Sequence, residues 1–171
     1  FLGDLAYLNE GNAQNLYVPL NVGYLASRAK RRFGAGVEIT LFKDAAEIIA
    51  AARRDPPEIV GLSLYYWNAA LNDAVACRLD SLSPRPLLIG GGPCGDSDPA
   101  TLFLFRDRHP WFDVLIPNEG EDGLEAIVAA MLAGEPLPPP GLGLSTDLGE
   151  IPSPYLDGTL DPFLVGPYQP M

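Results

Sequence analysis

Short apolar runs alternate with helical patterns along most of the chain. Residues 59–62 and 87–89 are nearly continuous apolar runs, which are typical of parallel strands buried on both faces. The pattern predicts five strands, over residues 1–7, 37–42, 58–64, 87–90 and 112–116.

Helical patterns lie between these runs. A helix is predicted after Asp44, because Glu47 follows it at capping-box spacing and Arg53-Arg54 complement the dipole at the far end. Two apolar stripes predict further helices, and Gly134 is expected to end the second of them. The stripes are Leu71, Val75, Leu79 and Leu82, and Leu124, Ile127, Val128, Met131 and Leu132.

This alternation predicts an α/β fold. Strands that alternate with helices must pair in parallel through right-handed crossovers. We therefore expect a flavodoxin-like (Rossmann-like), doubly wound, five-stranded parallel sheet with helices on both faces. Ligands of such sheets bind beyond the carboxyl ends of the strands, so functional residues are sought in the loops that follow each strand.

These loops contain the candidate binding residues. Amide side chains both donate and accept hydrogen bonds, aromatic rings suit a flat partner, and glycines let a ligand approach the backbone. Acidic residues at a helix N-terminus complement its dipole and can accept from ribose hydroxyls or amides. Each group of residues also has an alternative interpretation: the amides could form a solvated turn, the aromatic rings could belong to the core, and the acidic residues could only mark the start of a helix. Asn68 is in addition predicted to be a helix N-cap. The candidates are Asn9, Glu10, Asn12, Pro19 and Leu20 after strand one, Ser63, Tyr65, Tyr66, Trp67 and Asn68 after strand three, Gly90, Gly91, Gly92 and Pro93 after strand four, and Glu119, Gly120 and Glu121 after strand five.

Composition separates two regions of the chain and argues against nucleic acid as a partner. Residues 134–171 hold 9 of the 18 prolines and no basic residue, which predicts an extended, proline-rich linker after a domain spanning residues 1–134. The excess of 22 acidic over 11 basic residues argues against nucleic acid. No apolar run approaches the 18 residues that a membrane span needs, and no export leader is visible. Cys77 and Cys94 have no metal-ligand spacing, so a reduced, cytoplasmic protein without a metal site of its own is expected.

Several short segments follow one another in a characteristic order along the chain. They are Gly61-Leu62-Ser63, Ile89-Gly90-Gly91-Gly92-Pro93 and Glu119-Gly120-Glu121, with Val18-Pro19-Leu20, Gly23-Tyr24-Leu25-Ala26 and Ile151-Pro152-Ser153-Pro154-Tyr155 in addition. Together they resemble the cobalamin-binding domain of radical S-adenosylmethionine enzymes, and the resemblance covers nearly the whole chain.

The resemblance implies that residues 1–134 bind cobalamin base-off and that residues 135–171 lead toward a radical S-adenosylmethionine barrel of the same polypeptide. That barrel would carry a [4Fe–4S] cluster and S-adenosylmethionine at a C-x-x-x-C-x-x-C motif, which this sequence lacks. A small-molecule or peptide substrate would bind there, so no catalytic residue is assigned in this chain. The implied reaction is methyl transfer to an unactivated carbon. Two alternatives stay open: cobalamin-dependent cyclisation or rearrangement, and a corrinoid-free, flavodoxin-like interaction domain whose pocket has filled.

Two departures from related proteins refine this interpretation. The D-x-H-x-x-G motif that places a histidine under cobalt is absent, and the single histidine, His109, precedes strand five at the wrong end for the ligand edge. We therefore expect binding without an axial histidine. Asn118 stands where the resembled family usually has glycine. If the chain stays extended beyond Leu64, Ser63, Tyr65 and Trp67 point the same way, which makes Trp67 the candidate for the lower corrin face. If a bulge or turn begins at Tyr65, Tyr66 is the better candidate.

Overall fold

The computed structural model describes residues 1–7, 17–93, 99–139, 149, 151–165 and 168, with the backbone alone at 99–102. Asn9, Glu10 and Asn12 therefore lie outside the described residues. Five parallel strands form one sheet in the order β2-β1-β3-β4-β5, which confirms the predicted flavodoxin-like fold. The strands are β1 (Leu2–Gly3), β2 (Leu41–Phe42), β3 (Ile59–Ser63), β4 (Leu87–Gly92) and β5 (Val114–Pro117).

The strands differ in length from those predicted. The first two are only two residues long, although hydrogen bonds between the same segments continue from the Asp4 N–H to the Phe42 carbonyl and from the Ala6 N–H to the Lys43 carbonyl. By contrast, β4 extends past Gly90 to Gly92. Glycine has no side chain to signal a strand, which explains why the apolar pattern predicted an end of this strand at Gly90.

Helices cover both faces of the sheet. The Asp44 side chain accepts from the Ala46 and Glu47 N–H groups, and Gly134 ends its helix with a φ of 66°, as predicted for both positions. Met131 and Leu132, predicted to lie on an apolar stripe, are exposed at 37% and 57%. No described helix is long and apolar enough to cross a membrane. The helices are α1 (Leu20–Phe33), α2 (Ala45–Arg54), α3 (Ala69–Asp80), α4 (Pro99–Arg108), α5 (Glu121–Ala133) and α6 (Asp161–Leu164).

The pleat of the strands divides the core into two layers. One layer joins the sheet to α2 and α3, where Val60, Leu62 and Leu64 pack with residues such as Leu79 and Leu88. The other layer joins it to α1 and α5 and contains Leu2, Val22, Ile89, Ile116 and Leu124. Because neighbouring residues of a strand point to opposite faces, β3 contributes to both layers with alternate residues.

Part of the proline-rich tail lies against α1. Leu160 is fully buried and Phe163 nearly so, in a cluster with Val18. A Cβ atom on Gly23 would lie 3.2 Å from the Leu160 side chain and 3.3 Å from Pro154. The tail therefore packs against α1 at a position that has no side chain. Two segments that carry the family resemblance, around Gly23 and Pro154, are thus in contact.

Candidate functional site

A cavity of about 370 Å³ opens at the carboxyl edge of the sheet, between the strands and helices α1 and α5. Eight of the candidate residues line it, with apolar residues from β1, β4, β5 and both helices. The eight are Ser63, Tyr65, Gly91, Gly92, Pro93, Glu119, Gly120 and Glu121.

The cavity exists because three strand positions have small or absent side chains. On β3, Gly61 and Ser63 alternate with the large Val60 and Leu62 and belong to the α1–α5 layer. Gly91 pairs directly with Ser63 on the neighbouring strand. A Cβ on Gly61 would lie 2.8 Å from the Leu2 side chain, and one on Gly91 would lie 3.3 Å from the Ile116 carbonyl oxygen. A side chain at position 61 would displace Leu2, and one at position 91 would press on the Ile116 backbone at the cavity wall.

The glycine run at the end of β4 faces both sides of the sheet. A Cβ on Gly90 would meet Leu64 at 2.6 Å in the opposite, filled layer, so Gly90 does not line the cavity. Gly92 has a φ of 122°, and a Cβ there would lie 2.9 Å from the Leu64 carbonyl oxygen. Gly92 is therefore required by the backbone itself, whereas Gly91 leaves space toward the cavity.

Asn21, in the first turn of α1, organises the polar part of the wall. Its Nδ2 atom donates to Ser63 Oγ at 2.7 Å and to Tyr65 Oη at 3.0 Å. Its Oδ1 atom accepts from the Val22 N–H at 2.8 Å. Sequence reasoning missed Asn21, although a polar residue directly after Val18-Pro19-Leu20, on the helix that follows the first strand, was a usable signal.

The loop after β5 supplies the opposite wall. Asn118 has a φ of 60°, a left-handed conformation that favours glycine but that asparagine tolerates. This explains how asparagine replaces the glycine of the resembled family. The Oε2 atom of Glu121 is buried and has no hydrogen-bond partner among the described residues. A buried acceptor without a donor is costly, so this wall is suited to a ligand that donates a hydrogen bond.

The aromatic residues after β3 divide between the cavity and the surface. The strand ends at Ser63 and a turn follows at 66–68. The extended conformation that would make Ser63, Tyr65 and Trp67 point the same way therefore stops before Trp67. Tyr65 lines the cavity, and Trp67 stacks on it with ring centroids 4.4 Å apart and 13° between the planes. Trp67 and Tyr66 are 70% and 81% exposed.

Asn68 occupies the predicted N-cap position, but its side chain does not cap α3. Instead Oδ1 accepts from the Tyr65 N–H, and Nδ2 donates to the carbonyl oxygens of Leu5 and Ser63. The fully buried amide therefore fixes the turn that carries Tyr65. Pro19 is buried and Leu20 packs in the cluster with Val18, so neither lines the cavity.

His109, the only histidine of the sequence, does not line the cavity. Its Nδ1 atom lies 2.7 Å from an oxygen of Asp73, and its ring packs 4.1 Å from that of Phe105. It is thus an internally paired histidine on the side of the sheet away from the cavity. The described residues contain no cluster of three potential metal ligands.

An ion-pair cluster joins the two helices that form the cavity walls. Arg28 on α1 donates to Asp122 and Glu125 on α5, the latter at 2.8 Å, and Arg32 lies 3.3 Å from Glu125. None of these four residues lines the cavity. These pairs fix the separation of α1 and α5 without filling the space between them.

Comparison with known proteins gives two curated relatives. The chain is 30% identical to 2-(S-pantetheinyl)-carbapenam-3-carboxylate methyltransferase of Streptantibioticus cattleyicolor and 27% identical to the cobalamin-dependent radical SAM methyltransferase TokK of Streptomyces tokunonensis. Both matches cover 85% of this chain and 24% of the relative. These matches confirm the resemblance to cobalamin-dependent radical S-adenosylmethionine enzymes that the sequence segments indicate. No family model matches the chain.

The fold also matches that of a solved structure. A solved structure of OxsB, a cobalamin-dependent S-adenosylmethionine radical enzyme with aqua-cobalamin bound, superposes with a TM-score of 0.64 over 95% of this chain, at 19% identity. The match covers 25% of the OxsB chain. This chain therefore spans about a quarter of the length of the relatives that it matches.

Proposed function

We propose that this chain binds cobalamin in the cavity beside β3 and β4, with the benzimidazole tail detached from cobalt and inserted between the sheet and helices α1 and α5. The observation that carries the proposal is the open layer at Gly61, Ser63 and Gly91, which faces a fully packed layer across the same sheet. Both curated relatives are methyltransferases, and the name of one states that it depends on cobalamin.

The residues of the cavity fit such a tail. Its lining includes the apolar Leu2, Val22, Ile116 and Leu124, which suit the flat face of an aromatic base. The hydroxyls of Ser63 and Tyr65 and the Glu121 carboxylate add polar groups to the walls. Polar groups of this kind fix the orientation of a ligand in an otherwise apolar site.

The proposed binding mode uses no histidine of this chain. His109 is held by Asp73, and neither Tyr65 nor Trp67 carries a basic nitrogen for cobalt. The stacked Tyr65–Trp67 pair is then the aromatic group of this chain near the lower face of the corrin. Its role would be to fill the axial space without ligating the metal.

In the complete enzyme, this domain would present cobalamin to a radical S-adenosylmethionine domain of the same polypeptide, in the cytoplasm. When bound, cobalamin supplies a cobalt centre that carries a methyl group. The two cysteines of this chain cannot hold a [4Fe–4S] cluster of the C-x-x-x-C-x-x-C type, so the cluster, S-adenosylmethionine and the small-molecule or peptide substrate are assigned to that other domain. We propose methyl transfer to an unactivated carbon as the overall reaction.

Spectroscopy of the loaded chain tests the proposal. Purified protein is incubated with hydroxocobalamin, desalted and reduced to the cobalt(II) form for electron paramagnetic resonance. We expect a coloured protein whose spectrum lacks nitrogen superhyperfine splitting, because neither benzimidazole nor imidazole would ligate cobalt. A colourless protein would refute cobalamin binding. A split spectrum would refute the tail-detached, histidine-free mode.

A further inference from the structure

The orientation of the Asn21 amide is fixed by its backbone neighbour. Val22 lies in the first turn of α1, where N–H groups have no partner within the helix. A backbone N–H can only donate, so the atom 2.8 Å away must be the amide oxygen of Asn21. The amide nitrogen consequently faces Ser63 and Tyr65.

This orientation determines the polarity of two hydroxyl groups. Both N–H bonds of the Asn21 amide are used, one toward Ser63 Oγ at 2.7 Å and one toward Tyr65 Oη at 3.0 Å. A hydroxyl that accepts from Asn21 keeps its own hydrogen for another partner. Within the described part of the chain neither hydroxyl donates to any group, and Ser63 is only 9% exposed. Both residues line the cavity, so a ligand bound there can accept from both hydrogens.

We infer that Asn21 is a positioning residue that makes Ser63 and Tyr65 hydrogen-bond donors toward the cavity, and thereby selects a ligand with a hydrogen-bond acceptor at that point. The unprotonated ring nitrogen of a heteroaromatic base is such an acceptor. The inference rests on the proposed function, since the base is then the nucleotide tail of cobalamin. Glu121, which needs a donor, also lines the cavity. A ligand would therefore place a hydrogen-bond acceptor at Ser63 and Tyr65 and a hydrogen-bond donor at Glu121.

Replacing the amide by a carboxylate reverses this polarity. In Asn21→Asp the side chain keeps its shape and still accepts from Val22, but it accepts from the two hydroxyls instead of donating to them. Their hydrogens are then no longer available to a ligand. Asn21→Ala removes the donor without engaging the hydroxyls, so it is the milder change. A purely structural role would make the truncation at least as harmful as the isosteric replacement.

The test compares cobalamin with cobinamide, a corrinoid that lacks the nucleotide tail. For Asn21→Asp we expect the cobalamin dissociation constant to rise about tenfold or more, with a smaller rise for Asn21→Ala and unchanged cobinamide binding for both. Equal losses for the two corrinoids, or a larger loss for Asn21→Ala, would overturn the inference.

A double-mutant cycle with Ser63→Ala separates orientation from simple charge repulsion. We expect Ser63→Ala to weaken cobalamin binding about tenfold in the wild-type chain and to have little effect in Asn21→Asp. An equal cost in both backgrounds would show that Asn21 does not act through Ser63. If Asn21→Asp does not fold, the same cycle in Asn21→Ala gives the answer, because Ser63→Ala should then cost less than in the wild type.

The controls keep two failures apart. If the wild-type chain binds neither corrinoid, or both equally, the proposed function fails. If it prefers cobalamin and the Asn21 variants keep that preference in full, only the role of Asn21 fails.

Discussion

The two layers on either side of the sheet are built from the same strands and yet differ in kind. Toward α2 and α3, the core receives Val60 and Leu62 from β3 and Leu64 just beyond it, which are all at least 98% buried. Toward α1 and α5, β3 presents Gly61 and Ser63, and the space above them is open. One strand thus stabilises the fold with one set of alternate residues and forms a binding site with the other.

The two layers also hold their helices differently. Those on the α2–α3 side pack through buried aliphatic residues such as Ile48 and Leu79. On the other side, α1 and α5 are joined in addition by the ion pairs of Arg28, which is partly buried. Partly exposed pairs contribute little stability, so their value here is geometric. The open layer needs its walls held apart as well as held together.

Neighbouring glycines give the sharpest test of this comparison, because Gly90 and Gly91 face opposite layers. Gly90→Val would force its side chain against Leu64, and we expect it to lower the free energy of unfolding by about 3 kcal/mol. Gly91→Val meets one tight contact, the Ile116 carbonyl oxygen at 3.3 Å from its Cβ, so we expect a smaller stability loss and a folded protein that has lost cobalamin binding. Chemical denaturation and corrinoid titration of both variants measure the two effects.

Equal stability losses in the two variants, or retained binding by Gly91→Val, would show that the layers do not differ as described. Gly92→Val is not a suitable variant. Its positive φ and the nearby Leu64 carbonyl oxygen would strain the backbone whatever binds in the cavity.

Glu121→Gln tests whether the open layer completes its hydrogen bonds with a ligand. The buried Oε2 atom lacks a donor in the described structure, and we expect loss of the charged acceptor to weaken cobalamin binding about tenfold. Glu135→Gln, an exposed change just beyond the other end of α5, is the matched control and should leave affinity unchanged. Titration of both variants gives the comparison. Wild-type affinity in Glu121→Gln would remove this residue from the site.

Trp67→Ala should have the smallest effect on the fold. The indole is 70% exposed and stacks only on Tyr65 among aromatic rings of the described chain, so we expect the stability to change by less than about 1 kcal/mol. Opening the space below cobalt should nevertheless shift the visible spectrum of the bound corrinoid toward a water-ligated form. An identical spectrum in Trp67→Ala and wild type would mean that the ring is not near the metal.

The sheet could be predicted from sequence because buried parallel strands leave continuous apolar runs, as at residues 59–62 and 87–89. The extension of β4 to Gly92 was missed, since glycines give no such signal. Helix α4 also gave no usable stripe, and its Phe103 and Leu104 are exposed.

The site could be predicted only in part, for a related reason. Loop position indicated Ser63, Gly91 and Glu121, because the carboxyl ends of parallel strands share one edge. It did not identify Asn21, which follows no strand end directly and contacts β3 and the turn after it, 42 and 44 residues away. Nor could it show that a turn beyond Ser63 separates Tyr65 in the cavity from Trp67 at the surface.

The relative affinity of the wild-type chain for cobalamin and cobinamide tests the central claim most directly. If the open layer beside Gly61, Ser63 and Gly91 receives the nucleotide tail, burial of its aromatic base should make cobalamin bind about 100-fold more tightly. Equal dissociation constants for the two corrinoids would contradict the claim, because they would show that the cavity contributes nothing to binding.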